Sequence, residues 1–183
     1  GYLTREDFAP DSPLFRYRLR GEPAMNQISE QIKDVYGRPY LPGSSLKGAL
    51  RTVLAVGGAT VRKPRFDRLG RSRSWAAQPV ERELFGRNPN YDLLRALQVS
   101  DSTPGEKEHL QLLNVQVVAG EKAGAPVELE AVKANVTFTA TLTLDGFLRQ
   151  QNGAAKQLGW QKDQLLWLKN ISKMVNAFTV RRI

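Results

Sequence analysis

The sequence predicts an α+β fold, and three observations carry that reading. Residues 136–145 alternate Val136, Phe138, Ala140, Leu142 and Leu144 with Thr137, Thr139, Thr141 and Thr143. That period of two marks a strand with one face on a core and one face open. Residues 46–56 set Leu46, Leu50, Val53 and Leu54 on one side at helical spacing. With 183 residues, 41% apolar and 25% charged, the chain has ordinary globular composition and enough length to bury a core.

The elements follow in order. Residues 14–20, LFRYRLR, alternate Phe15, Tyr17 and Leu19 with Arg16, Arg18 and Arg20, a strand whose open face is arginine. Residues 24–35 hold Ile28, Ile32 and Val35 at i, i+4 and i+7, a short amphipathic helix stopped near Gly37 and Pro39. Residues 40–45, YLPGSS, form a turn. Pro42 fixes its own φ, Gly43 tolerates positive φ, and Ser44 or Ser45 caps the next helix. That helix runs from Leu46 to about Val56, and Gly57 and Gly58 end it. Residues 59–79 read as a basic, mobile loop, with six cations and one acid between Arg62 and Arg73. Short helices follow over 80–85 and 91–97, then strands over 110–118, 127–131 and 136–145. In the second strand Val127, Leu129 and Ala131 alternate with Glu128 and Glu130. Residues 161–179, with Trp167, Ile171, Met174, Val175 and Phe178 at helical spacing, read as one long helix. This order fits a ferredoxin-like (RRM-like) core, a sheet with helices on one face.

Composition narrows the chemistry. There is no cysteine, which removes disulfide scaffolds, thiol catalysis, zinc ribbons and iron–sulfur clusters. The single histidine, His109, removes multi-histidine metal sites and leaves a weak general-base candidate beside Glu108. No apolar run is long enough to span a bilayer, and no secretory signal is evident. A soluble cytosolic chain with no membrane partner is expected. The formal charge is +9, and it is uneven. Residues 1–75 carry 14 Lys+Arg against 7 Asp+Glu, while residues 76–183 carry 13 against 11. A basic excess in one part of the chain points to an anionic partner, with nucleic acid first.

Three groups of residues are candidates for that contact. The first is Gly43, Ser44, Ser45, Lys47 and Arg51. A Gly-Ser-Ser turn entering a helix offers unpaired N–H groups and hydroxyls at the positive end of the helix dipole. Lys47 and Arg51 share a helix face, and Gly48 leaves room for close approach. An ordinary capped helix with solvated cations is the alternative. The second is the basic loop with Arg62, Lys63, Arg65 and Arg68, where Phe66 and Trp75 could stack a base. The third is Arg16, Arg18 and Arg20. Solvated surface charge is the alternative for both. Asp101, between two serines, reads as a turn or cap residue. Trp167 and Phe178 read as core.

The stretch PGSSLKGALR over residues 42–51 is similar to the hallmark of RAMP proteins, the repeat-associated subunits of type III CRISPR effectors. Glu83-Leu84-Phe85-Gly86 and residues 94–102, LRALQVSDS, resemble one family within it, the fifth Csm subunit of type III-A complexes. The resemblance covers residues 24–183. It implies one RAMP domain over 1–183, ferredoxin-like with inserted loops, as the N-terminal part of a longer two-domain protein. Family members are longer, and the apolar strand and Gly-rich turn that usually open them are not found ahead of Ser12. It also implies a non-catalytic subunit, without cofactor or metal, in the prokaryotic cytoplasm. Such a subunit binds crRNA, caps the 3′-end side of the interference complex and contributes to crRNA maturation and antiviral defence. Neighbouring RAMP subunits are the implied partners, with target RNA and host nucleases as further candidates. The alternative is a backbone RAMP subunit that cleaves target RNA with an Asp and a divalent metal. Asp34 is the nearest acid to the matching loop, but no matching motif surrounds it.

Overall fold

The computed structural model describes residues 2–9, 12–22, 27–65, 67, 69–70, 72, 75–119, 122–146 and 154–180. In chain order the strands are β1 (Ile28–Ser29), β2 (Leu97–Val99), β3 (Leu110–Ala119), β4 (Lys122–Val132) and β5 (Leu142–Leu144). The helices are α1 (Gly43–Arg62), α2 (Gln78–Phe85), α3 (Ala154–Gln157), α4 (Lys162–Lys169) and α5 (Ile171–Val180). The α+β expectation is met. The chain forms two compact units, Gly1–Leu41 with Ser102–Thr139, and Pro42–Asp101 with Ala140–Ile183.

The first unit is built on β4, which pairs antiparallel with β3 and parallel with β1. The strands expected over 110–118 and 127–131 are present and longer. The side that the sequence marks as polar is the buried one: Glu128 and Glu130 are inside, and Val127 is exposed. Lys33 explains Glu130. Its ammonium ion-pairs with the Glu130 carboxylate, whose Oε2 also accepts the Gln31 N–H at 3.0 Å. Burial pulls the Lys33 pKa down, but hydrogen bonds to Glu130, Tyr17 and Glu30 outweigh it and hold it above the ordinary lysine value.

Two expected elements are absent from this unit. The helix over 24–35 is not formed in residues 27–35, and residues 23–26 lie outside the described residues. The Asp34 carboxylate accepts the N–H groups of Tyr36 and Arg38, each at 2.9 Å, and such a local turn competes with helical hydrogen bonds. Ile28, Ile32 and Val35, the predicted buried stripe, are exposed. Residues 14–20 form no strand either. The Leu112 N–H reaches the Arg20 carbonyl at 2.9 Å, but Gly21, at φ 145°, turns the chain just after. The side-chain alternation survives in part: Tyr17 and Leu19 are half-buried, while Phe15, Arg16, Arg18 and Arg20 are exposed.

The second unit is organised by α1, which is longer at both ends than expected. Gly57 and Gly58 do not end it. A Cβ on Gly58 would stand 2.8 Å from the Trp167 indole, and one on Gly57 2.3 Å from the Met174 methyl. The pair is therefore a close-packing surface for α4 and α5. The helix stops at Lys63, in the left-handed region at φ 48°. Leu54, Leu84, Phe85, Leu93, Leu97, Trp167 and Leu168 form the core. Each such side chain contributes roughly 1.5–3 kcal/mol by leaving water.

Here too the expectations need correction. The expected basic loop loses both of its ends, because 59–62 belong to α1 and 78–79 to α2. The helix expected over 80–85 is α2. The one over 91–97 is two 3-10 turns, Pro89–Tyr91 and Leu93–Ala96, followed by β2. The long helix over 161–179 is broken at Asn170. Its N–H donates to the carbonyls of Leu166 and Trp167, and its side-chain amide also donates to Leu166. Asn readily diverts local backbone bonds in this way. The strand over 136–145 narrows to β5, antiparallel to β2 with Leu97 opposite Leu144. Leu142 and Leu144 are exposed there.

Candidate nucleic-acid interface

The start of α1 shapes the candidate site. Pro42 occupies the cap position, with φ −60° and ψ 135°. Ser44 and Ser45, expected as caps, fall inside the first turn and are exposed. A distant carboxylate caps the helix instead: the Gly43 N–H donates to Asp101 Oδ1 at 2.7 Å. This places Asp101 in the cap role its serine neighbours suggested. Position 43 requires glycine, because a Cβ would stand 2.3 Å from the Val99 carbonyl oxygen. The turn is thus pinned to the end of β2. Gly43 has spent its N–H, and the Ser44 and Ser45 hydroxyls make no hydrogen bond with a described residue. Their N–H groups belong to the first turn, where no i−4 carbonyl exists to pair them.

One turn further along, Lys47, Gly48 and Arg51 border an open cleft of about 420 Å³. Glu81, Pro89, Asp92, Leu94 and Arg95 complete its lining. Lys47 is half-buried and forms no ion pair with a described residue. A Cβ on Gly48 would meet nothing within 4 Å, so backbone is open to an approaching ligand. Arg51 is differently placed. It donates to Glu81 Oε2 at 2.9 and 3.2 Å and to Asp92 Oδ2 at 2.8 Å. Its guanidinium carbon also stands 4.3 Å from the Phe85 ring centroid. Arg51 therefore braces the cleft wall, and its charge is largely answered within the protein. Arg95 is exposed, with one guanidinium nitrogen donating to the Asn90 carbonyl.

The other predicted residues separate into committed and free. Arg62 is the last residue of the same helix. Its guanidinium donates to both Asp163 oxygens at 2.7 and 2.8 Å, to the Glu83 carbonyl at 3.0 Å and to the Gln161 amide oxygen at 3.0 Å. The hydrogen bond and charge of Arg62, the hydrogen bond first, outweigh partial burial and hold the Asp163 carboxyl below the usual carboxylate range. Lys63 and Arg65 are exposed and form no ion pair with a described residue. Arg68 lies outside the described residues, as does Phe66. Arg16, Arg18 and Arg20 are exposed in the first unit. The structure thus groups Gly43, Ser44, Ser45, Lys47 and Arg51 on the first half of α1. Arg62 lies eleven residues along from Arg51, about 16 Å at 1.5 Å per residue.

Sequence reasoning missed Arg95 and the Glu81–Asp92 clamp. Asp92 carried a usable signal. It precedes Leu93-Leu94, and its Oδ1 accepts the Leu94 N–H at 2.8 Å, the arrangement an N-cap Asp announces. Glu81 carried none, since nothing local ties it to Arg51. The catalytic candidates are structurally occupied. His109 Nδ1 accepts the Glu106 N–H at 3.0 Å. Asp34 Oδ2 accepts from the Arg38 guanidinium at 2.8 Å. Among the described residues, no three His, Asp or Glu side chains are grouped to hold a metal. No helix among them is long and apolar enough to cross a membrane.

Comparison with known proteins bears on this helix and its setting. A Csm5 protein of Streptococcus thermophilus is 34% identical over 133 residues, covering 67% of this chain and 36% of the relative. A Csm5 protein of Enterococcus italicus is 26% identical over 145 residues, covering 79% of this chain and 33% of the relative. The chain spans about a third of the length of these curated relatives. The crystal structure of T. onnurineus Csm5 superposes with a TM-score of 0.64 at 25% identity, over 89% of this chain and 56% of that one. Within its superfamily the chain is therefore Csm5-like, as residues 83–86, ELFG, and 94–102, LRALQVSDS, implied. The model of the RAMP superfamily matches residues 19–177, from the edge of the first unit through α5, and the chain belongs to that superfamily.

Proposed function

We propose that the chain is a non-catalytic crRNA-binding subunit that caps the 3′-end side of a type III-A CRISPR interference complex. In this reading it works in the prokaryotic cytoplasm on a ferredoxin-like (RRM-like) RAMP domain and docks onto neighbouring RAMP subunits. The observation that carries the proposal is the start of α1. Two exposed serines stand in its first turn, and one turn on, beside an open cleft, are a bare glycine backbone and a lysine with no ion pair to a described residue. Such groups recognise sugar and phosphate, which hold an RNA in place without reading its bases. A subunit that must accept any spacer needs that property. Ser44, Ser45 and Lys47 make the contact, Gly48 admits the backbone, and Arg51 holds the wall. Lys63 and Arg65 supply further charge in the same unit, and Arg16, Arg18 and Arg20 are exposed cations of the first unit that add to the chain's attraction for RNA. The likeness to Csm5 supports the assignment to the type III-A complex.

The test is Lys47→Gln, with Arg51 left in place to keep Glu81 and Asp92 paired. Binding of single-stranded RNA should weaken about fivefold near 0.1 M salt, whatever the sequence. The slope of log K against log salt should fall by about 0.7, the value of one lost phosphate contact. An unchanged affinity and slope would refute the role assigned to α1.

A further inference from the structure

We infer that the second unit holds another phosphodiester-binding cleft, formed by Arg82, Arg87, Tyr91, Gln157 and Gln161, distinct from the α1 first turn. It rests on the RNA-binding reading above and extends it to a surface the sequence did not mark. The cleft has a volume of about 300 Å³ and lies among α2, the Pro89–Tyr91 turn, α3 and the start of α4.

Its chemistry is that of an anion receptor. Arg82 is exposed and forms no ion pair with a described residue. Arg87 is also exposed and unpaired in charge, and its guanidinium carbon stands 3.7 Å from the centroid of the Tyr91 ring. That stacking holds the fork in one orientation while leaving its N–H groups to a ligand. Glu83 is the one acid in the lining, and Arg62, also in the lining, is answered by Asp163. Gln161 turns its amide oxygen to Arg62, so its amide N–H groups remain available. Gln157 is exposed at the other wall.

The floor is rigid. The Trp160 indole N–H donates to the Tyr91 carbonyl at 2.7 Å, and the Gln164 amide donates to the Leu84 carbonyl at 2.7 Å. At Gly86, with φ 137°, a Cβ would stand 2.2 Å from the Tyr91 carbonyl oxygen, so the turn is locked against the end of α2. A Cβ on Gly159 would meet nothing within 4 Å, and that rim is open. One guanidinium fork oriented by Tyr91, a second exposed guanidinium, amide donors and an aromatic ring suit a phosphate with its attached ribose. Tyr91 of this cleft is flanked in sequence by Pro89 and Asp92 of the Lys47 cleft, so one RNA strand crossing this segment meets both.

Arg82→Gln with Arg87→Gln tests the cleft, because both side chains are exposed and neither is in the core. Binding of a single-stranded RNA oligonucleotide is measured across salt for wild type, the double variant and Lys47→Gln. The double variant should lose about 25-fold in affinity near 0.1 M salt, and its slope should fall by about 1.4, two contacts at about 0.7 each. A photoreactive side chain at Gln157 should crosslink the same RNA. If Lys47→Gln weakens binding while the double variant keeps wild-type affinity and slope, this cleft is overturned and the α1 reading stands. That holds whatever protein contact the double variant loses. If wild type itself does not bind RNA, both fail. Absence of a crosslink from position 157, with one obtained from position 47, also overturns the proposal.

Discussion

Three of the four glycines on α1 lie past its first turn in different surroundings, and replacing each with alanine separates helix propensity from packing. In a helix interior, Gly→Ala gains about 1 kcal/mol where nothing else changes. Gly48 is that case, since its added methyl meets nothing within 4 Å. At Gly57 the methyl meets only Met174 Cε, at 2.3 Å. That is the free end of an adaptable side chain, so part of the gain should remain. At Gly58 the methyl meets three atoms of the Trp167 ring, at 2.8, 2.9 and 3.3 Å. The ring is buried, and Arg62 lies 5.2 Å from its centroid. An indole held in this way yields only by moving α4. Overpacking a core costs typically about 1–3 kcal/mol, which exceeds the propensity gain. The net for Gly58→Ala is a loss of about 1 kcal/mol. The expected order of stability is Gly48→Ala, then Gly57→Ala, then wild type, then Gly58→Ala, with about 2 kcal/mol between the extremes. Urea unfolding followed by tryptophan fluorescence and circular dichroism resolves such a spread. A Gly58→Ala protein as stable as Gly48→Ala would refute the claim that the glycine pair is a packing surface.

Two further outcomes follow from the ion pairs. The Asp163 carboxyl is held below its ordinary value by Arg62, so the folded state binds that proton less tightly than the unfolded chain does. The resulting stability is fully present above the usual carboxylate range near pH 4 and is lost as pH falls through the depressed value. Arg62→Gln should therefore flatten the acid limb of a stability–pH curve, and an acid limb identical to wild type would contradict the pairing. In the first unit, Lys33→Met strands the buried Glu130 and should destabilise that unit by about 3–5 kcal/mol. Adding Glu130→Leu should recover most of the loss in a denaturation double-mutant cycle, and no recovery would mean that the pair is not the cause.

What was legible in the sequence was what depends on neighbours along the chain. The α1 stripe of Leu50, Val53 and Leu54, the α2 segment and the β3–β4 hairpin all follow from local period, and all are present. Some failures are local, as where the Asp34 turn replaces a helix and Asn170 breaks one, and others come from a long-range partner that outweighed the local pattern. The Ile28, Ile32 and Val35 stripe had helical spacing, but the Lys33 ammonium is held by Glu130, ninety-seven residues away. The Gly57-Gly58 pair looked like a helix end because its reason for being glycine lies on α4 and α5. The alternation of β4 was visible, but which face is buried depends on where Lys33 arrives. At the candidate site the PGSS turn was legible, while its actual cap, Asp101, comes from fifty-eight residues away.

The same reasoning explains why net charge overstates the interface. Sequence counts cations, but a phosphate meets only those the fold has not already answered. Arg51 and Arg62 belong to the same helix as Lys47 and are equally basic by count. Yet Arg51 is held by Glu81 and Asp92, and Arg62 by Asp163 and two further acceptors. Moving either onto a phosphate would uncover the carboxylates it now pairs, and that cost cancels much of the new attraction. Among the described residues Lys47 has no such carboxylate partner, and neither have Lys63, Arg65, Arg82 or Arg87. The affinity of this unit for a polyanion should therefore follow these unanswered cations, while Arg51 and Arg62 set the geometry in which they are presented.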